Sequence, residues 1–454
     1  MKSPVFRAAV LIALAFFCAD CANQVSSDTP GGDDPNADTT IPPGALPTGA
    51  LSLRGNPSFD AGSLTAEETK WYNRIFDGID GCRNLIDGYA SGSSSVIEGQ
   101  PVGDVYAIGR EVGNYTEALL MALRATGDLR FLDRVYEVSE LYRGSLRDAW
   151  LDAAGGTTDG YTDWLWIADS GNATFYGKDT NWLDESISSG NVALVAYAMQ
   201  VNRDLNPKYA ASTDFWRDWL ENQFLAKWYQ RAPVNSENCN NYANNMLCAW
   251  NEPFAAFYKF DVEPRSSNWR LAYYLWKITG NSFYKDRVDE IVDQLIQAMQ
   301  VNPNHPTAYR WSWRLDLALA ATDGWEDTTH GNYYSRVTME MSIEGMPFYS
   351  DPTEMARFAA TYRDVVYGPY APDFTQAGSK FTQMAATMNG DDGPVGFAPH
   401  ANSGFARWDT TGFLMNMAEH SITGKENFAA GGNSKGARND VYISSYALMA
   451  ISQR

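Results

Sequence analysis

The sequence predicts an all-α fold on three observations: a repeated helix–turn–helix pattern, apolar residues at helical spacing along most of the chain, and almost no strand-like alternation. Residues 122–135 read ALRATGDLRFLDRV and residues 275–288 read LWKITGNSFYKDRV, with a weaker third copy, HSITGKENF, at 420–428. In both strong copies an apolar helix ends at Thr-Gly. A polar residue, Asp128 or Asn281, follows, and an aromatic precedes Asp-Arg-Val in the next helix. Glycine suits the left-handed C-cap, the polar residue caps the second helix, and the aromatic packs between the two. One such αα-hairpin cannot bury its apolar faces alone, so hairpins must stack on neighbours.

Taken in order, residues 1–21 carry Lys2 and Arg7 and then an apolar stretch at 8–17, the form of an export signal. The stretch ends at Cys18 and Cys21, in the manner of a bacterial lipoprotein signal. Residues 22–55, rich in Asp, Thr, Gly and Pro, have the composition of a disordered tether. The expectation is an exported protein, either an outer-membrane lipoprotein or a periplasmic or secreted one, that meets a membrane only through a lipid anchor. No run near eighteen apolar residues follows the N-terminus. The folded domain is expected over 56–454. Its first helix is expected at 65–89, where Trp71, Ile75, Ile79 and Leu85 share a face. Further helices are expected at 106–125, 130–151, 185–202, 213–229, 269–278, 283–299, 315–321, 328–341, 355–367, 411–421 and 440–452. Roughly twelve to fourteen helices, in about six to seven hairpins, point to a closed α/α toroid, with an open superhelix as the alternative.

Composition narrows the function classes. A net charge of −20 over 454 residues argues against nucleic acid as a partner. Of the five cysteines, Cys239 and Cys248 share a loop and are expected to lie close enough to bridge after export, leaving Cys82 buried and unpaired. No spacing reads as a metal-ligand set and no glycine loop reads as a phosphate cradle, so no cofactor is expected.

Three long inserts, 155–184, 232–254 and 367–408, interrupt the helices. Long loops in a compact domain are commonly functional. The first carries Tyr161, Trp164, Trp166 and Trp182; the second carries Asn238, Asn240, Asn241, Asn244, Asn245, Trp250, Asn251 and Glu252. Aromatic faces with amides and carboxylates suit a sugar ring, which has an apolar face and a rim of hydroxyls. Packing of loop against helix is the better reading of any one tryptophan, and carbohydrate the better reading of the ensemble.

The densest chemistry lies at 304–340. Tyr309, Arg310 and Arg314 stand among Trp311 and Trp313, and Glu326-Asp327-Thr328-Thr329-His330-Gly331 follows. A histidine preceded by carboxylates and followed by glycine reads as an oriented acid/base group with room for a ligand beside it. The competing reading is a helix start capped by Asp327 or Thr328. Two carbohydrate chemistries fit. A hydrolase needs two carboxylates across one glycosidic bond, for which Asp184, Glu185, Glu252, Glu326 and Asp327 are candidates. A lyase acting on a uronic acid must neutralise the substrate carboxylate, take the proton from the adjacent carbon and protonate the leaving oxygen. A tyrosine titrates near pH ~10 and needs a cation beside it to act as a base.

On these motifs the chain resembles the toroid polysaccharide lyases that degrade alginate and related polyuronates, closest to polysaccharide lyase family thirty-eight. The resemblance covers residues 60–454, mostly as architecture. Its specific parts are the Asn/Glu-rich loop (NNYANN and Trp250-Asn251-Glu252), YRWSWR at 309–314 and EDTTHG at 326–331. It implies β-elimination on an alginate- or glucuronan-like polysaccharide, with Tyr309 transferring the proton and His330 as its partner. Asn251 or Glu252 would lie against the uronate carboxylate, and Arg314 would bind or polarise it. Asn241, Arg310, Trp250, Trp182, Trp313, His305 and His400 would bind substrate. Asn240-Asn241 is followed by Tyr242, where classical toroid alginate lyases have histidine. The alternatives are a toroid glycoside hydrolase and a surface glycan-binding lipoprotein without catalysis.

Overall fold

The computed structural model describes residues 51–94, 96–97, 100–150, 156–167, 177, 179, 182–231, 262–312, 325–375, 383–390, 394–396, 401–422 and 434–452. These form a mostly helical unit. α1 (Ala66–Ala90) begins at Thr65, whose hydroxyl accepts from the Glu68 amide while Glu68 reaches back to the Thr65 amide, a complete capping box. A π-helical turn (Ala107–Val112) then runs into α2 (Gly113–Thr126), and α3 (Leu129–Gly144) follows. α4 spans Trp182–Val201. α5 (Pro207–Asp218) continues through a π-turn (Trp219–Leu225) into α6 (Ala226–Arg231). α7 (Val262–Thr279) and α8 (Ser282–Gln297) form a pair. α9 (Thr328–Ile343), α10 (Pro352–Ala360), α11 (Phe413–Glu419) and α12 (Ser434–Ile451) complete the described helices.

Both strong copies of the repeat have the expected construction. α2 ends at Gly127 with φ 78°, and Asp128 caps α3 by accepting from the Arg130 amide at 3.0 Å. α7 ends at Gly280 with φ 71°, and Asn281 caps α8 by accepting from the Phe283 amide at 3.0 Å. In each, a threonine hydroxyl (Thr126, Thr279) donates to the carbonyl four residues back, both at 2.7 Å, and accepts from the capping residue's amide. The third copy extends beyond the described residues after 422.

Among the described residues, strand is confined to four two-stranded antiparallel ribbons: β1 (Val96–Ile97) with β2 (Gln100–Pro101), β3 (Arg147–Trp150) with β4 (Thr158–Asp163), β5 (Met299–Val301) with β6 (Tyr309–Trp311), and β7 (Gln383–Ala385) with β8 (Pro394–Gly396). Two expected helices therefore end early. The 130–151 helix stops at Gly144, and Met299 leaves the helix before it; both C-terminal ends pair as ribbon instead.

Burial separates two kinds of helix. Residues 115–126 of α2, 184–196 of α4, 331–342 of α9 and 440–450 of α12 are buried without a break. α1, α3 and α8 bury one stripe each, as in Tyr284, Val288, Ile291 and Leu295. The buried set packs in sequence: α2 on α4, α4 on α7, α7 on α9, α9 on a 3-10 helix (Ala401–Arg407), that segment on α12, and α12 on α2. Outside it, α3 lies on α2, α5 on α4, α8 on α7 and α1 on α12. Close approach of α4 to α7 requires Gly190, where a Cβ would come 2.7 Å from the Ser267 carbonyl oxygen. Among the described residues no helix is long and apolar enough to cross a membrane.

Charge is buried between these helices, and it is paired. Arg270 of α7 donates to Glu117 of α2 at 3.0 Å, to Asn191 of α4 at 2.7 Å and to Glu340 of α9 at 2.6 Å. Arg336 of α9 also reaches Glu117, at 3.1 Å. Burial opposes ionisation of Glu117, but the two guanidinium groups outweigh it and hold the carboxyl below its ordinary range. A second buried set surrounds Lys227 of α6, whose ammonium lies 2.5 Å from Asp163, 2.8 Å from Asp179 and 2.8 Å from Glu185. Cys82 is buried with a free thiol, pushed up to about 12 by burial. Cys239 and Cys248 lie outside the described residues.

Candidate functional site

The helix starts of α4, α7 and α9 and the π-turn before α2 bring four charged side chains together. Arg110 of the π-turn donates through Nε to Asp184 at 2.8 Å, and its Nη1 lies 2.8 Å from Glu263. Asp184 and Glu263 sit in the first turns of α4 and α7, where the helix dipole favours a carboxylate. His330, in the first turn of α9, places Nε2 4.0 Å from Glu263 Oε2. Arg110, Asp184 and Glu263 are buried, whereas the His330 side chain is 46% exposed.

The two sequence readings of 326–331 turn out to be compatible. One oxygen of Asp327 accepts from the His330 amide at 3.0 Å and so caps α9; the other takes the His330 Nδ1. Because a carboxylate only accepts, Nδ1 carries the proton and Nε2 is left as the basic nitrogen facing Glu263. The same bond raises the imidazole above its ordinary value, with Glu263 adding to the effect and burial opposing it. Glu263 itself is raised, by burial against the opposing pull of Arg110 and His330. Contrary to the expectation from sequence, Gly331 does not leave space for a ligand. A Cβ there would stand 2.5 Å from Met388 Cε and 3.1 Å from Glu326 Cγ, so the glycine admits protein.

One turn beyond His330, Tyr333 is buried between two cations. Arg110 lies 5.0 Å and Arg336 4.3 Å from the centre of its ring. Asn114 accepts from Arg336 at 2.5 Å. Burial nevertheless keeps the Tyr333 hydroxyl above the ordinary tyrosine range, so at neutral pH it is a proton donor.

Tyr309 takes a different place. It lies on β6, paired with Val301, with its hydroxyl on Glu354 of α10 and its ring against Phe358 at 5.3 Å. No hydrogen bond, ion pair or ring contact joins it to His330. Arg310 stacks on Trp325 at 3.8 Å and donates to Asn389 at 2.9 Å. His305 sits in the turn between β5 and β6, where its amide donates to the Asn302 carbonyl at 3.2 Å. Asn241, Trp250, Asn251, Glu252, Trp313, Arg314 and His400 lie outside the described residues, as does the side chain of Trp182. His420 caps the C-terminus of α11 against Phe374, a structural place.

Sequence reasoning missed Arg110, Glu263, Tyr333 and Arg336. A signal existed for the first: positions 110, 114 and 117 share a helical face, which gathers an arginine, an asparagine and a glutamate on one side. Two described groups could hold a metal ion: Glu326, Asp327 and His330, with ligand atoms within 4.8 Å of one another, and Asp163, Asp179 and Glu185. The first would have to give up the His330–Asp327 hydrogen bond, and in the second the Lys227 ammonium already takes the cation's position. No family model matches the chain, and no curated protein sequence matches it.

Proposed function

We propose that the protein is an exported polysaccharide lyase that cleaves a uronic-acid-containing polysaccharide, alginate- or glucuronan-like, by β-elimination. The buried helices α2, α4, α7, α9 and α12 and the 401–407 segment would form the inner ring of an α/α toroid, with the site at its N-terminal end. The observation that carries the reading is the juxtaposition of an oriented, half-exposed His330 with buried Arg110, Glu263 and Tyr333. In this mechanism His330 Nε2 takes the proton from the carbon next to the uronate carboxylate. The electron pair left there forms the new double bond as the glycosidic C–O bond breaks, and the Tyr333 hydroxyl protonates the departing oxygen. Arg110, together with Glu263, which burial makes hold its proton more tightly than a free carboxyl, would meet the uronate carboxylate and stabilise the charge that develops on it. This moves the proton-donating tyrosine from Tyr309 to Tyr333, because of these two Tyr333 is the one that shares a cation, Arg110, with the His330 cluster.

The test is a screen on alginate blocks, glucuronan, pectate and ulvan, following the ultraviolet absorbance of an unsaturated product. Absorbance growth with one of them is expected. A second reading, a toroid glycoside hydrolase, draws on Asp184 and Glu263 holding the same guanidinium while burial raises Glu263, a pairing suited to base and acid roles. New reducing ends without that absorbance would replace the lyase by the hydrolase. Binding without cleavage would leave a glycan-binding protein.

A further inference from the structure

The Arg110 guanidinium has a second aromatic neighbour, and this one faces solvent. Tyr106 is 37% exposed, one of few large apolar side chains so placed among the described residues. Its ring lies 5.2 Å from the Arg110 guanidinium, and Trp166 meets it edge-on, 5.9 Å between centres at 83°. The rings and cations thus run as a ladder from surface to interior: Trp166, Tyr106, Arg110, Tyr333, Arg336. The two outer rings come from separate segments, and the backbone ties them together. Asp104 Oδ1 accepts from the Tyr106 amide at 3.2 Å and from the Ile167 amide at 3.1 Å. The Val105 amide donates to the Leu165 carbonyl at 2.9 Å, and the Leu165 amide donates to the Gly103 carbonyl at 3.0 Å. Next to them Trp164 is fully buried, packed on Trp219 at 5.1 Å and donating to the Tyr142 carbonyl at 2.9 Å. The insert is therefore anchored at Trp164 and presents Trp166 beside Tyr106. Among the described residues the Tyr106 hydroxyl has no hydrogen-bond partner.

We propose that Tyr106 and Trp166 form a stacking subsite for a pyranose ring of the polysaccharide, next to the sugar whose bond is cleaved. A pyranose face of C–H groups suits an aromatic ring held rigidly at a partly wet rim. The position follows from the ladder, since one guanidinium separates Tyr106 from Tyr333. A chain whose reacting residue lies at His330 and Tyr333 carries its next residue over Tyr106. The ring alone does the binding.

The proposal rests on the carbohydrate reading, and the experiment separates the two. Wild type, Tyr106→Ala and Tyr106→Phe are compared on uronate oligosaccharides of increasing length from the polysaccharide that the screen identifies, with thermal melts to confirm equal folding. Tyr106→Ala should raise KM about tenfold for the longer oligomers, change kcat less than twofold, and leave the shortest cleavable substrate unaffected. Tyr106→Phe should behave as wild type. An unchanged KM in Tyr106→Ala overturns the subsite. So does a fall in kcat at every length with KM constant, which would mean that the ring only shields Arg110 from water. If wild type yields no unsaturated product on any polyuronate, the lyase reading fails by itself. The same variants are then compared for retardation in gels containing each polyuronate, where equal retardation of wild type and Tyr106→Ala, or none at all, overturns the subsite as well.

Discussion

At the scale of single residues, the His330–Asp327 pair carries a signed pH prediction. Asp327 raises the imidazole, so His330 stays protonated to a higher pH than a free histidine, and the basic form needed for proton abstraction appears only above that point. Asp327→Asn removes the largest cause while an asparagine still caps α9. The acid limb of the kcat/KM profile should therefore move to lower pH, and an unmoved limb would remove His330 from the chemistry. The two tyrosines are separated by a parallel pair of variants. Tyr333→Phe should cut turnover by ~10² or more with an unchanged melt, because it deletes the proton donor alone. Tyr309→Phe should leave turnover alone and cost about 1 kcal/mol of stability through the lost Glu354 bond. Steady-state rates and thermal melts on both variants decide the assignment.

At the scale of elements, the Thr-Gly hairpin is the unit that the chain repeats, and its two copies permit a controlled comparison. Gly127 and Gly280 have φ of 78° and 71°, but a Cβ at Gly127 meets Asn56 Cβ at 3.1 Å, whereas one at Gly280 meets nothing within 4 Å. Gly280→Ala should then cost only the left-handed conformational penalty, about 1 kcal/mol. Gly127→Ala should cost measurably more, because its turn is packed by the segment leading to α1. Urea titration of both variants gives the difference, and equal losses would show that the contact with Asn56 relaxes freely.

At the scale of the whole molecule, buried charge ties helices together that the apolar pattern alone would leave interchangeable. Lys227 shows the cost of breaking such a set. It joins α6 to β4, to Asp179 and to the first turn of α4, beside the Asp184 that holds Arg110. Lys227→Met strands three buried carboxylates and should destabilise the fold by about 3–5 kcal/mol at neutral pH. Burial already raises Asp163 and Glu185, so the native state binds protons more tightly than the unfolded chain there. Stability from this cluster is highest at acid pH and falls as pH rises towards the raised values. The deficit of Lys227→Met should accordingly be smaller at pH 5 than at pH 8. Chemical melts across that range measure it, and a deficit that grows on acidification would overturn the account.

The sequence by itself determined the helical class, most helix positions and the two strong hairpins, because caps, left-handed glycines and apolar periodicity act over three or four residues. It also singled out His330 with Asp327, since both roles of that aspartate are local to one helical turn. Partners from distant segments were decided only by the tertiary structure. Arg110, Asp184, Glu263 and Tyr333 lie on four segments, and nothing in any one of them shows that their ends converge. Tyr309 looked like the partner of His330 because it is near in sequence, yet ribbon pairing with Val301 turned its hydroxyl to Glu354. The ends of α3 and α8 were misread for the same reason: residues 147–150 and 299–301 become strand only because a ribbon partner is present. The tryptophans of the first insert divided in the same way, Trp164 into the core and Trp166 to the rim, by contacts that periodicity does not record.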